Sequence, residues 1–168
     1  MIHVYTGDGK GKTTAACGLA LRAAGQGMKV LVVQFLKSGT SGEICAFENH
    51  PDIEVMCSET DKFLWDMTEE ENKQARKTHQ ILFESAADRT ENFDVVVFDE
   101  ILGAITTGMI DETQVVRFLE ENKEKAEFVL TGRGAGEKLI DLADYVSEIK
   151  CVKHPMEKGI PARQGIEY

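Results

Sequence analysis

No stretch of this sequence stays apolar for the roughly 20 residues that a helical membrane span requires. The opening residues Met1-Ile2-His3-Val4 carry neither a basic run nor a long apolar run, so no secretory leader is expected and the cytoplasm is the default compartment. The cysteines Cys17, Cys45, Cys57 and Cys151 form no C-x-x-C pair. That excludes zinc-ribbon and thioredoxin-type readings and leaves reduced thiols on core or helix faces. The histidines His3, His50, His79 and His154 show neither H-x-x-x-H nor H-E-x-x-H spacing, so a histidine-built metal site is not expected. A basic excess is missing as well. The net charge is -10 and the pI about 4.9, where a phosphate-backbone binder carries a basic face. Neither nucleic acid nor a membrane is an expected partner.

The 168 residues, 42% hydrophobic and 29% charged, fit one soluble domain with a sizeable core, spanning residues 1–168. Apolar runs rich in β-branched residues alternate with helical patterns, the rhythm of a parallel sheet built from βαβ units. Strands are expected at Ile2 to Tyr5, Lys29 to Phe35, Ile53 to Met56 (weaker), Asp94 to Phe98, Glu127 to Thr131 and Tyr145 to Ile149. Helices are expected at Lys12 to Gly25, with Ala and Leu on the buried faces, from Thr68 to about Arg89, from Asp111 to about Asn122, and at Glu137 to Leu142. Thr68 and Glu71 have capping-box spacing. The last residues are read as an edge strand, and Ser38 to Ser58 as the least regular segment.

The strongest signal is Thr6-Gly7-Asp8-Gly9-Lys10-Gly11-Lys12-Thr13-Thr14, which follows an apolar strand and opens a helix. That is the context of a P-loop, in which glycines let successive amides turn onto phosphate oxygens at a helix N-terminus. Thr6 stands where the common G-x-x-x-x-G-K-[ST] pattern has its first glycine. Lys12 is placed to reach the terminal phosphates, and the Thr13 hydroxyl to ligate Mg²⁺. The acidic partner is Asp99-Glu100, directly after Val95-Val96-Val97-Phe98. A carboxylate ending a strand beside the P-loop strand can hold Mg²⁺ directly or through water. Alone, the same pair reads equally as a strand-end cap. Arg133, between Gly132 and Gly134 at another strand end, has a guanidinium fork suited to polyphosphate; a surface arginine in a turn is the plainer alternative. These motifs indicate ATP as ligand without naming the chemistry. A kinase or ATPase with Glu100 placing the nucleophile, and a nucleotide-dependent binding module, both stay open.

The ordered set of the P-loop with Ala15-Ala16, Val33-Gln34-Phe35, Phe63-Leu64-Trp65, Phe98-Asp99-Glu100, Leu130-Thr131-Gly132-Arg133-Gly134, Asp141-Leu142-Ala143-Asp144, Lys153-His154 and Gly165-Ile166-Glu167-Tyr168 resembles the P-loop ATP:corrinoid adenosyltransferases. The resemblance implies a RecA-like α/β fold, a mostly parallel central sheet flanked by helices, usually as a homodimer. It implies ATP as co-substrate, Mg²⁺ (or Mn²⁺) and a corrinoid substrate, with a reduced flavoprotein as a possible electron donor. In such enzymes Co(I) attacks the ribose 5′ carbon of an ATP bound in reversed polarity, and triphosphate leaves. By resemblance Thr6, Gly7, Asp8, Gly9, Lys10, Gly11, Lys12, Thr13, Thr14 and Arg133 bind the nucleotide, while Thr13 and Glu100, supported by Asp99, hold the metal. Lys12, Phe63 and Trp65 carry the catalytic roles. The aromatic pair would approach the lower face of the corrinoid, displacing the axial ligand to leave four-coordinate Co(II). From spacing alone, Phe63 and Trp65 at i and i+2 are better read as a half-buried strand or loop packing on the core. Two departures from the family pattern are expected to matter: an Asp at position 8, putting an extra acid beside the phosphates, and a start one residue before the first strand, from which no lid is expected of the N-terminal kind that can cover the site in familiar bacterial members.

Overall fold

The segments Val30–Gln34 and Val95–Asp99 are buried at every position, as strands covered on both faces must be. In the computed structural model, which describes residues 1–37, 39, 41–58 and 67–167, they lie inside one six-stranded sheet. The strands are β1 (Ile2–Thr6), β2 (Val30–Gln34), β3 (Ile53–Cys57), β4 (Val95–Asp99), β5 (Glu127–Thr131) and β6 (Tyr145–Glu148). Their order is β3-β2-β4-β5-β1-β6, and every ladder is parallel. The helices are α1 (Lys12–Ala24), α2 (Gly42–Phe47), α3 (Glu69–Ala87), α4 (Ile101–Thr106), α5 (Glu112–Asn122) and α6 (Glu137–Leu142).

Strand alternation divides the core into two layers of different grain. Val30, Val32, Val95, Val97 and Val129 face one side, where they meet Ala16, Cys17, Ala20, Ala23 and Ala24 of α1. The larger Leu31, Val33, Phe98, Phe128 and Leu130 face the other side, against Phe83, Ile101, Leu102, Val115 and Leu119 from α3, α4 and α5. Small residues bring α1 close to the sheet, and this seats the P-loop directly over the strand ends. The expected leucine contribution holds in part: Leu19 is half-buried against this layer, whereas Leu21 is 53% exposed.

The helix starts follow local chemistry. Thr68 Oγ1 accepts from the Glu71 amide while Glu71 returns a carboxylate to the Thr68 amide, the expected capping box, and Asp111 caps α5 through the Thr113 amide. The segment read as least regular holds α2 as well as β3. The C-terminal residues form no strand among those described. A 3-10 turn at Pro155–Lys158 stands there instead, since Pro155 and Pro161 cannot donate to a ladder, and β6 occupies that sheet edge.

A second correction concerns the acidic strand. β4 does not lie beside β1, because β5 is inserted between them. The two helices between β4 and β5 give a crossover long enough to bring β5 back against β1. As a result Thr131, the last residue of β5, stands between the P-loop and Asp99.

The aromatic layer under this edge centres on Phe98, fully buried, with ring centroids of Phe35, Phe83, Phe118 and Phe128 at 6.2, 5.7, 6.0 and 6.3 Å. We expect Phe98→Ala to cost about 3–5 kcal/mol. In urea melts the midpoint should fall with the slope unchanged.

Candidate active site

The functional residues collect at the carboxyl ends of the parallel strands, where open α/β sheets place their ligands. β1 ends at Thr6 and the chain turns through Gly7 and Gly11, at φ 100° and 118°, into α1. Gly7 and Gly9 lean on the backbone that follows β6. A side chain on Gly9 would place its Cβ 2.7 Å from the Lys150 carbonyl carbon, and one on Gly7 would collide with the Ile149 carbonyl. The Gly9 amide donates to Ile149 O at 2.8 Å, and the Ile149 amide to Thr6 O at 2.8 Å. The loop is thus clamped to β6, and the Gly9 amide is directed at that clamp.

Lys12 is buried, and its Nζ donates to Gly9 O at 2.7 Å. Burial lowers its pKa, and the nearby Arg133 guanidinium adds to that effect. Arg133 Nη2 lies 3.5 Å from Asp8 O, which places this arginine on the P-loop itself. The Asp8 carboxylate accepts from the Cys151 amide at 3.0 Å, and that bond holds its pKa below the usual range. The extra acid is therefore spent on the chain after β6. Lys10 turns to the C-terminal segment as well, donating to Ile166 O at 2.8 Å and Glu167 Oε1 at 3.1 Å. Thr14 is exposed in the first turn of α1.

Asp99, with no solvent exposure, ties four elements together. Its Oδ1 accepts from Thr13 Oγ1 at 2.8 Å and Thr131 Oγ1 at 2.7 Å, and its Oδ2 from Gln34 Nε2 at 3.1 Å and Lys37 Nζ at 3.2 Å. Glu100 follows in a left-handed conformation, φ 62°, with its amide donating to Thr131 Oγ1 at 2.9 Å. Lys37 Nζ also lies 3.4 Å from Thr13 Oγ1 and 3.9 Å from Glu100 Oε1. Burial works against the charge on Lys37, but the carboxylates of Asp99 and Glu100 outweigh it and raise its pKa. A hydroxyl and two carboxylates are oxygen donors of the kind Mg²⁺ takes, and here they already surround a cation. Buried Gln34 Oε1 has no hydrogen-bond partner among the described residues, which leaves one more acceptor at the site. These residues fit a divalent metal.

Leu36, which precedes Lys37, is left-handed at φ 58° without being glycine. Its amide donates to His79 Nε2 at 3.1 Å, and His79 Nδ1 faces Ala75 O at 2.7 Å. An amide only donates and a carbonyl only accepts, so His79 is the neutral Nδ1–H tautomer. Burial correspondingly lowers its pKa.

The structure brings together Lys12, Thr13, Asp99, Glu100 and Arg133. Phe63 and Trp65 lie outside the described residues. Gln34, Lys37, His79 and Thr131 carry no assigned role in the sequence reading. The available signal was a polar residue closing an otherwise apolar strand, at Gln34 in VLVVQ and Thr131 in EFVLT.

Residues 1–168 match the family described as ATP:corrinoid adenosyltransferase BtuR/CobO/CobP. The chain belongs to this family. The corrinoid adenosyltransferase of Escherichia coli is 39% identical over 173 residues, covering 100% of this chain and 85% of the relative. The corrinoid adenosyltransferase CobA of Salmonella typhimurium is 37% identical over 174 residues (100% and 85%), and the Pseudomonas aeruginosa corrinoid adenosyltransferase 35% over 171 residues (100% and 83%). In this alkyl-transferase family member, the P-loop and the Asp99 cluster lie together at the carboxyl edge of the sheet.

Two outcomes follow from this geometry. Thr131→Val removes a donor to buried Asp99 and the acceptor for the Glu100 amide, and should destabilise the adenosyltransferase by about 1–3 kcal/mol in urea melts. His79 is held neutral below its ordinary pKa of 6.5, so its contribution is complete above that pH and is lost as pH falls through the lowered folded value. Melts at pH 7.5 and pH 5.5 should therefore differ less for His79→Leu than for the natural chain.

Proposed function

We propose that this adenosyltransferase, a single domain over residues 1–168, holds ATP through Lys12, the free loop amides and Arg133, and a divalent metal through Thr13, Glu100 and Asp99. Co(I) of a reduced corrinoid then attacks the ribose 5′ carbon. The cobalt–carbon bond forms with the electron pair of Co(I), the carbon–oxygen bond breaks, and its pair leaves on triphosphate. No proton moves in this step, so no general base is required. The observation that carries the reading is the convergence of Lys12, Arg133 and the Thr13–Asp99–Glu100 oxygens at one edge of the sheet.

Lys12 acts where negative charge grows on the leaving group, and such a donor is worth more in a water-poor site. Mg²⁺ (or Mn²⁺), when bound, would neutralise further charge on the triphosphate. Arg133, fixed on the loop, adds a forked donor. Phe63 and Trp65 are assigned by family resemblance to the lower face of the corrinoid. There, apolar rings would displace the axial ligand and bring Co(II) within reach of a reduced flavoprotein. A homodimer rests on the family resemblance, and the exposed apolar side chains Tyr145, Val146, Val152, Met156 and Ile160 on the edge strand β6 and after it are compatible with one. The free cysteines suit a reducing, cytoplasmic setting.

The experiment is anaerobic. Enzyme, ATP, Mg²⁺ and chemically reduced cobalamin are mixed and the visible spectrum is followed. A light-sensitive cobalt–carbon product should form, and Lys12→Ala should slow it by about 100-fold or more. Absence of that product with complete cobalamin and with its precursors alike would overturn the proposal.

A further inference from the structure

We propose that Lys37 is a tethered cation that fills the divalent-metal position while the site holds no nucleotide, and that it must be exchanged for the metal when nucleotide enters. The proposal rests on the reading of Thr13, Asp99 and Glu100 as metal ligands. Lys37 Nζ lies 3.2 Å from Asp99 Oδ2, 3.4 Å from Thr13 Oγ1 and 3.9 Å from Glu100 Oε1. These oxygens come from α1, the end of β4 and the residue after it, and they converge on one ammonium nitrogen. They are also the oxygens assigned to the metal. Thr13 donates its proton to Asp99 Oδ1, so its remaining lone pairs face a single cation. An ammonium and a divalent ion sharing the same acceptors would repel at contact distance, so the two exclude one another.

The chain sets Lys37 in place by design rather than by chance collapse of a long side chain. The residue before it takes a left-handed backbone that leucine disfavours, and fully buried His79 accepts the amide of that strained turn. Asp99 is buried and carries a charge-accepting set of four donors, of which only Lys37 is cationic. Among the described residues Lys37 is the one cation in contact with that carboxylate, so without it or a metal they leave the buried charge unmet. Lys37 thus keeps the ligands assembled before substrate arrives. A metal ion alone must displace a tethered charge, whereas a metal carried by polyphosphate brings its own binding energy. The metal accordingly enters with the nucleotide and not ahead of it.

The test uses the full chain and Mn²⁺, followed by the EPR signal of the free ion. Without nucleotide, Lys37→Met should bind Mn²⁺ at least tenfold more tightly than the natural chain, whereas Lys37→Arg should not. In metal-free buffer Lys37→Met should melt at a lower temperature and recover with Mg²⁺, while the natural chain shifts little. Lys37→Gln gives the same readout if the methionine variant does not fold. Equal Mn²⁺ affinity in the natural chain and both neutral variants, with Mn²⁺ and ATP together still binding, would overturn the role of Lys37 and leave the ligand assignment standing. Failure of every chain to take up Mn²⁺ with ATP would overturn the ligand assignment and this inference with it.

Discussion

The Asp99 carboxylate is the point on which the active edge depends. It is withdrawn from water and accepts four hydrogen bonds, from the P-loop helix, from the ends of β2 and β5, and from the turn after β2. A buried carboxylate is tolerated only when its lone pairs are filled and its charge is met. The segments that fill them are therefore held in register with one another. The insertion of β5 between β1 and β4 makes this possible, because Thr131 then accepts from the Glu100 amide and donates to Asp99. The P-loop is fixed from its other side by the backbone after β6, through Gly9 and Ile149. The loop is gripped between two supports before any nucleotide arrives, so little ordering remains for binding to accomplish.

Much of this was legible in the residues. Strand periods, helix caps at Thr68 and Asp111, and the P-loop depend on local chemistry, and local chemistry is written contiguously. The placement of Lys12, Thr13 and Asp99-Glu100 at strand ends was readable for the same reason, since each motif sits beside its own strand. What escaped was pairing across the sheet. Strand order is a property of crossovers, so Asp99-Glu100 was placed one strand too close to the P-loop. Lys37 and His79 are isolated letters in the sequence; they are linked only through Leu36, whose amide donates to His79 Nε2 at 3.1 Å across 43 positions. For Asp8 and Lys10 nothing in the sequence pointed to their partners within the chain. They belong to the loop, but their side chains are used by Cys151 and by Ile166 and Glu167, near the end of the chain. Phe63 and Trp65 rest on family resemblance alone.

The C-terminal residues thereby gain a physical role. Lys10 and Arg163 both meet Glu167, whose carboxyl is held down to about 2, chiefly by the hydrogen bond from the Arg163 side chain. Together with the Asp8–Cys151 bond, this pins the segment after β6 along the P-loop, on the side away from the Asp99 cluster. The same clamp accounts for glycine at positions 7 and 9, because a side chain at either would meet the backbone of Ile149 or Lys150.

All of these contacts serve one chemical claim, that cations gathered around Lys12 and Asp99 let a polyphosphate depart whole while carbon bonds to cobalt. The most direct measurement is phosphorus NMR of the reaction with ATP and fully reduced corrinoid. The account predicts inorganic triphosphate in amounts equal to the alkylated corrinoid. ADP and orthophosphate as the products would contradict it.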